Sequence, residues 1–144
     1  MSYPSTTMTV TEIEQFLEER RHAILATNRL NGPPQLSPVW YLYRDGKLFA
    51  GISPNSAKGR NLRRDPRVSV CVDGGYPDAR YVVLSGIAEI VDQPSEWGEE
   101  IERAISFRYH DTPEEAERSL IENADPDQVL LVITPEKIYS QNYN

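Results

Sequence analysis

Apolar, β-branched and aromatic residues come in short runs separated by turn residues: HAILATN (22–28), QLSPVWYLY (35–43), KLFAGIS (47–53), RVSVCVD (67–73), RYVVLSGIAEIVD (80–92) and VLLVIT (129–134). Runs of this length and composition predict six β-strands. The turns RLNGPP and RDGK are short and Asp45-Gly46 is a strong hairpin signal, so the first three strands are expected to form an antiparallel meander. Pro38 interrupts the second run; a proline donates nothing to a ladder, which places it at an edge or a bulge.

Helical spacing governs other stretches. Val10, Ile13, Phe16, Leu17 and Arg20 share one stripe, and Thr11 with Glu14 fits a capping box, predicting a helix near residues 9–21. Between the fifth and sixth strands Trp97, Ile101, Ala104 and Ile105 repeat helically, and Thr112, Pro113 and Glu115 open a second helix. The predicted fold is mainly β (α+β), a small split or closed barrel of six antiparallel strands with flanking helices. Residues 1–144 are expected to form a single domain, with the polar start, 1–8, flexible.

Composition narrows the function. The 144 residues are 39% hydrophobic and 26% charged, an ordinary globular balance, with a formal net charge of -7 that argues against a broad phosphate-binding surface and hence against nucleic acid. No apolar run approaches the roughly 20 residues that span a bilayer, and the N-terminal stretch lacks a signal peptide's basic start and apolar middle, so a cytoplasmic protein without membrane contact is expected. Cys71 is the only cysteine, which precludes an intramolecular disulfide; its apolar setting suggests an inert buried thiol. With only His22 and His110 as histidines, both read as structural, no metal site is expected. Dinucleotide, Walker, nucleophile-elbow and zincin motifs are absent, so an enzyme built on this chain would rely on an organic cofactor.

Against the acidic background, KGRNLRRDPRVSV gathers Lys58, Arg60, Arg63, Arg64 and Arg67, five of the 15 basic residues. Asn55 or Ser56 is placed to cap a two-turn helix that Asp65-Pro66 ends. Lys58, Asn61 and Leu62 share a face; the arginines project elsewhere. Two readings fit this pattern: a phosphate site at the helix N-terminus with Lys58, or a solvated basic helix whose arginines pair with carboxylates.

The segments AILATNRLNGPPQLSPVWYLY, KLFAGISPNSAKGRNLRRDPRVSVCVD and RYVVLSGIAEIVD resemble the pyridoxamine 5'-phosphate oxidase-like superfamily of split-barrel flavin and deazaflavin proteins, and are most similar to its actinobacterial branch that uses the deazaflavin coenzyme F420. The resemblance is close over about residues 9–92 and extends to the C-terminal third only in layout. It implies a homodimer with two cofactors in grooves between the subunits. It further implies that Lys58, with Arg60 and Asn61 nearby, binds the cofactor phosphate. Gln35, Ser37, Pro38 and Val39 would lie along the ring system, Ile52 and Ser53 would contact the ring and phosphate chain, and Arg80 and Tyr81 would reach the partner's cofactor. Of Trp40 and Tyr41, which alternate on a strand, one should face the core and the other the groove or partner. Ser56 departs from the branch's pattern, which often has a second basic residue there; the surrounding arginines suit the deazaflavin's acidic tail. The implied activity is hydride transfer from reduced F420 to an unsaturated organic small molecule. Alternatives are an FMN-dependent oxidoreductase or a non-catalytic flavin- or deazaflavin-binding protein. With no long C-terminal extension seen to carry the substrate contacts of true pyridoxamine-phosphate oxidases, that named activity is not expected.

Overall fold

The structure, a computed structural model, describes residues 7–92 and 95–144. Its elements follow the order α1 (Val10–Glu18), β1 (Ala23–Thr27), β2 (Gln35–Val39), β3 (Leu42–Arg44), β4 (Lys47–Ile52), α2 (Ala57–Arg64), β5 (Arg67–Asp73), β6 (Arg80–Val91), α3 (Glu96–Tyr109), α4 (Pro113–Glu122) and β7 (Val129–Asn142). The strands form one sheet in the order β2-β1-β5-β6-β7-β4-β3, with every pairing antiparallel.

Seven strands replace the six expected because the run 35–43 is divided at Trp40-Tyr41. Its halves lie at opposite edges of the sheet, so the expected meander is instead two hairpins, β1–β2 and β3–β4. Asp45 and Gly46, both with positive φ, turn the second hairpin. Curvature follows from this connectivity. Laid flat, seven strands about 4.8 Å apart would separate β2 from β3 by roughly 29 Å, whereas the three Cα steps from Val39 to Leu42 reach about 11 Å at most. The sheet therefore curls until its edges nearly meet, which gives the split barrel. Pro38 sits on an edge strand, where its missing N–H costs nothing.

The barrel interior is filled by alternate residues of the strands, among them Leu25, Leu48, Val70, Leu84, Leu131 and Ile133, all fully buried. The run VLLVI of β7 lacks polar alternation because both its faces are covered. Leu131 and Ile133 enter the barrel, while Leu130 and Val132 pack outside with Phe49, Ile101 and Ile105 beneath α3. β7 extends eight residues beyond the expected end at Thr134, past Pro135 to Asn142. A bulge at Ser85/Gly86 accommodates the proline; a Cβ on Gly86 would stand 2.1 Å from the Thr134 carbonyl oxygen, so the backbones meet more closely there than any side chain permits.

α1 lies within the expected span, but its cap comes two residues earlier than expected. Thr9 and Glu12, not Thr11 and Glu14, form the capping box. The earlier cap places Met8 just before it and Ile13 four residues into the helix, an apolar pair in one cluster that staples the entry; a Thr11 cap would pair Val10 with Gln15. Residues 1–6 of the expected flexible start lie outside the described residues, but Met8 is buried and its N–H donates to Ser140 Oγ (3.0 Å). Cys71 is half-buried, more exposed than expected, and burial raises its thiol pKa. No described helix is long and apolar enough to cross a membrane.

α1 has no basic residue in its last turn, and Arg108 of α3 supplies the missing cation: its guanidinium donates to the carbonyls of Leu17, Glu18 and Glu19 and lies over the Tyr41 ring, 4.7 Å from the centroid. Tyr41 donates its own phenol to Leu17 O (3.0 Å), and burial pushes its pKa up to about 12. Arg108→Met should therefore cost on the order of 2–3 kcal/mol of stability by denaturant titration. A loss below about 0.5 kcal/mol, the size of an ordinary surface change, would contradict this docking.

Candidate functional site

The basic helix α2 is built from its first residue. Ser56 caps it, accepting from Gly59 N–H (3.2 Å) and donating to Ser53 O (2.6 Å), so one hydroxyl ties the helix start to the end of β4. A basic residue at 56 could not do this, which gives Ser56 a structural role of its own. Gly59 packs against the same turn: a Cβ there would meet Ser53 O at 2.5 Å and Pro54 O at 2.8 Å, both backbone atoms. The first intrahelical bond is Arg60 N–H to Ser56 O, leaving the N–H groups of Ala57 and Lys58 ahead of the ladder at the positive end of the helix dipole.

The far side of α2 is fixed by a polar network under the helix. Asn61 Nδ2 donates to Thr27 Oγ1 (3.1 Å), Thr27 Oγ1 donates to Gln35 Oε1 (3.4 Å), and Arg64 reaches Asn61 Oδ1 (3.3 Å). Asn61 and Thr27 are buried. Asn61 and Gln35 thus anchor α2 to β1 and β2 rather than lining an open cavity.

The basic residues have separate fates. Arg63 pairs with Asp92 and Arg67 with Asp65, holding the Asp65 carboxyl far below the usual range. Arg64 also donates to Asn28 O, and Arg60, exposed, donates to Asn55 O. Lys58, half-buried, has no ion-pair partner among the described residues. It faces a cleft of about 750 Å³.

Five of the residues singled out in the sequence line that cleft together: Pro38, Val39, Ile52, Ser53 and Lys58. The other six lie elsewhere. Besides Gln35, Arg60 and Asn61, Ser37 turns toward the sheet interior, its buried hydroxyl without a partner among the described residues. Arg80 is held bidentately by Asp78, and Tyr81 clusters with Tyr139 and Tyr143 at ring separations of 6.1 and 6.4 Å. Trp40 lines the cleft while Tyr41 is fully buried, the division that strand alternation predicts.

The opposite wall comes from the C-terminal third: Glu102, Ile105 and Ser106 of α3, Ser119 and Leu120 of α4, and residues 123–126 and 128 beyond it. The helical stripe picked out in the sequence, from Trp97 to Ile105, describes how α3 packs. The neighbouring stripe of Glu102, Ile105, Ser106 and Tyr109 was the available signal for the wall. Gly51, at the base of the cleft, leaves room for the Gln128 side chain, whose amide nitrogen would stand 2.1 Å from a Cβ there.

Glu102 is chemically distinctive. It is half-buried, and it has no basic partner among the described residues, because Arg103 pairs with Glu117 and Arg44 with Glu100. Burial first, and then the charge of Glu99, raise its pKa. One end of the cleft therefore carries a free ammonium beside a helix N-terminus, and the other wall carries an uncompensated carboxyl among apolar side chains. Such a cavity suits an elongated ligand, anionic at one end and ring-like at the other.

Residues 9–142 match the family model described as pyridoxamine 5'-phosphate oxidase. Among solved structures, the conserved hypothetical protein Rv2991 from Mycobacterium tuberculosis matches with a TM-score of 0.82 at 30% identity, covering 100% of this chain and 91% of that one. An F420 reductase matches with a TM-score of 0.65 at 24% identity over 87% of this chain and 94% of its own. A FAD-binding protein from Mesorhizobium loti matches with a TM-score of 0.73 at 23% identity, covering 97% of both chains. At these identities the last two share the fold.

The lone carboxyl gives a signed pH dependence. Because the folded protein raises the Glu102 pKa, its ionised form costs stability above the folded pKa, and the cost vanishes below the unfolded value, the reference 4.5. Glu102→Gln should therefore melt higher than the parent at pH 7, with the difference closing by about pH 4. A variant less stable than the parent at pH 7 would mean that the carboxylate has a stabilising partner.

Proposed function

The chain belongs to the pyridoxamine 5'-phosphate oxidase family, and from that premise we propose that it is a reductase using the deazaflavin coenzyme F420 to reduce an unsaturated organic small molecule. The observation that carries this reading is Lys58: alone among the five basic residues of its segment it has no partner among the described residues, and it faces the cleft beside the capped start of α2. A phosphate there would meet an ammonium, two backbone N–H groups and the helix dipole together. Ser53 stands next to this position, and Pro38, Val39 and Ile52 offer an apolar strand wall for the ring. The bound, reduced deazaflavin would supply a hydride from its ring to one carbon of the acceptor's double bond, the other carbon taking a proton. The chain's own part is to hold the ring and acceptor together and keep water from between them, which the walls of the cleft suit.

FMN is the second reading, and one observation favours it. The arginines whose charge suited an acidic tail are engaged within the chain, so of the five basic residues of this segment only Lys58 is without a partner among the described residues, matching a single terminal phosphate. Side-by-side titration with F420 and FMN separates the two. Whichever binds, Lys58→Ala should weaken it roughly 10- to 150-fold, the loss of one charge-assisted hydrogen bond. Arg64→Ala should leave affinity nearly unchanged. Equal affinities for the parent and Lys58→Ala would remove the phosphate site from this reading.

We further propose a homodimer. In register across five strands, Pro38, Ile24, Cys71, Val83 and Tyr139 form an apolar row on the outer face of the sheet. Ile24 is 38% and Tyr139 46% exposed, and Tyr81 extends the patch. Apolar surface of this extent commonly marks an interface. Sedimentation at micromolar concentration should give twice the 16.4 kDa chain mass, and Val83→Glu should shift it toward one. A parent protein at the single-chain mass would refute the dimer.

A further inference from the structure

We propose that Trp40, held flat against Tyr109, is the platform on which the cleft seats the ring of a planar conjugated electron acceptor. The inference rests on the reading that the strand wall holds the cofactor ring, which leaves the helical wall for the acceptor. Trp40 belongs to the two-residue crossover between the sheet edges, so strands on both sides fix its backbone. Its indole is parallel to the Tyr109 ring, with centroids 4.9 Å apart and an interplanar angle of 2°, and His110 meets it edge-on at 5.5 Å and 86°.

The support beneath the indole is itself fixed. The Tyr109 hydroxyl accepts from Tyr41 N–H (3.2 Å) and donates to Arg21 O, so that ring is tied to the backbone of the crossover and to that of the segment before β1. Although stacked, the indole is still 41% exposed, while the neighbouring Tyr41 is fully buried. Trp40 lines the cleft, as do Ile105 and Leu120 of the helical wall, and it also borders a smaller pocket with Tyr109 and His110. Ile105 and Tyr109, four residues apart, share one face of α3, which joins the apolar wall to the aromatic stack. A rigid aromatic surface left exposed inside a cavity favours flat π-systems, through offset stacking, over aliphatic molecules of the same size.

The probe is 2,3-dimethyl-1,4-naphthoquinone, a flat acceptor whose substituted ring carbons resist attack by the Cys71 thiol. Trp97 is the only other tryptophan, so the Trp97→Phe protein reports Trp40 alone. Titrated without cofactor, this protein should show saturable quenching of its emission. By equilibrium dialysis, Trp40→Leu should bind the quinone roughly 3- to 10-fold more weakly than the parent and Trp40→Phe by an intermediate factor, while Arg64→Ala, outside the cleft, binds like the parent. Melting curves establish that each variant is folded; if Trp40→Leu is not, Trp40→Phe alone decides by its reduced affinity. No saturable binding, or equal affinities for the parent and the folded Trp40 variants, overturns the platform. The cofactor titration is a separate experiment: failure of both cofactors to bind would remove the reading on which the platform rests, whereas cofactor binding without quinone binding would remove the platform alone.

Discussion

The two-residue link between β2 and β3 is the constraint from which the cleft follows. Trp40 and Tyr41 join strands that lie at opposite edges of a seven-stranded sheet, and a link so short forces the sheet to curl. Alternation then sends their side chains opposite ways. Tyr41 goes inward, where its buried phenol and the overlying Arg108 hold α1 against the barrel; Trp40 goes outward, into the cleft, against Tyr109 of α3. Closure of the barrel and placement of the helical wall are thus coupled through adjacent residues.

Charge in this acidic chain is distributed by the same logic. Arginines of the α2 segment are drawn into ion pairs or onto backbone carbonyls, which secures the helix and the strand after it, and Lys58 is left unpaired where the helix begins. The Asn61–Thr27–Gln35 network beneath sets the depth of the helix, and Gly59 allows its close approach to the Ser53-Pro54 backbone. The polar groups under α2 act on a ligand through the position they give Lys58, a positioning role distinct from direct contact.

Features governed by local chemistry were mostly legible in the sequence, the α1 cap at Thr9 being the exception. The Ser56 cap, the Asp65-Pro66 stop, the Asp45-Gly46 turn and the helices of the sixth-strand connection all depend on residues a few positions apart. What depended on long-range closure was less so. The division of QLSPVWYLY cannot be inferred from its own composition, because both halves are strand-like and only the sheet order separates them. Gln35 and Asn61 were polar candidates for a ligand until the fold placed them against each other through Thr27. The helical wall was hidden for another reason: Glu102 is one of many glutamates on helices, and only burial distinguishes it from its solvated neighbours.

The central claim is that Lys58 and the start of α2 form the phosphate end of a cofactor cleft. A crystal structure of the complex, grown with F420 and separately with FMN, tests it most directly. The account predicts a phosphate within hydrogen-bond distance, about 2.7–3.0 Å, of Lys58 Nζ and the backbone N–H groups at the helix start, with the ring along the Pro38–Val39 wall. A bound cofactor whose phosphate lies away from Lys58, against the arginines or outside the cleft, would contradict it.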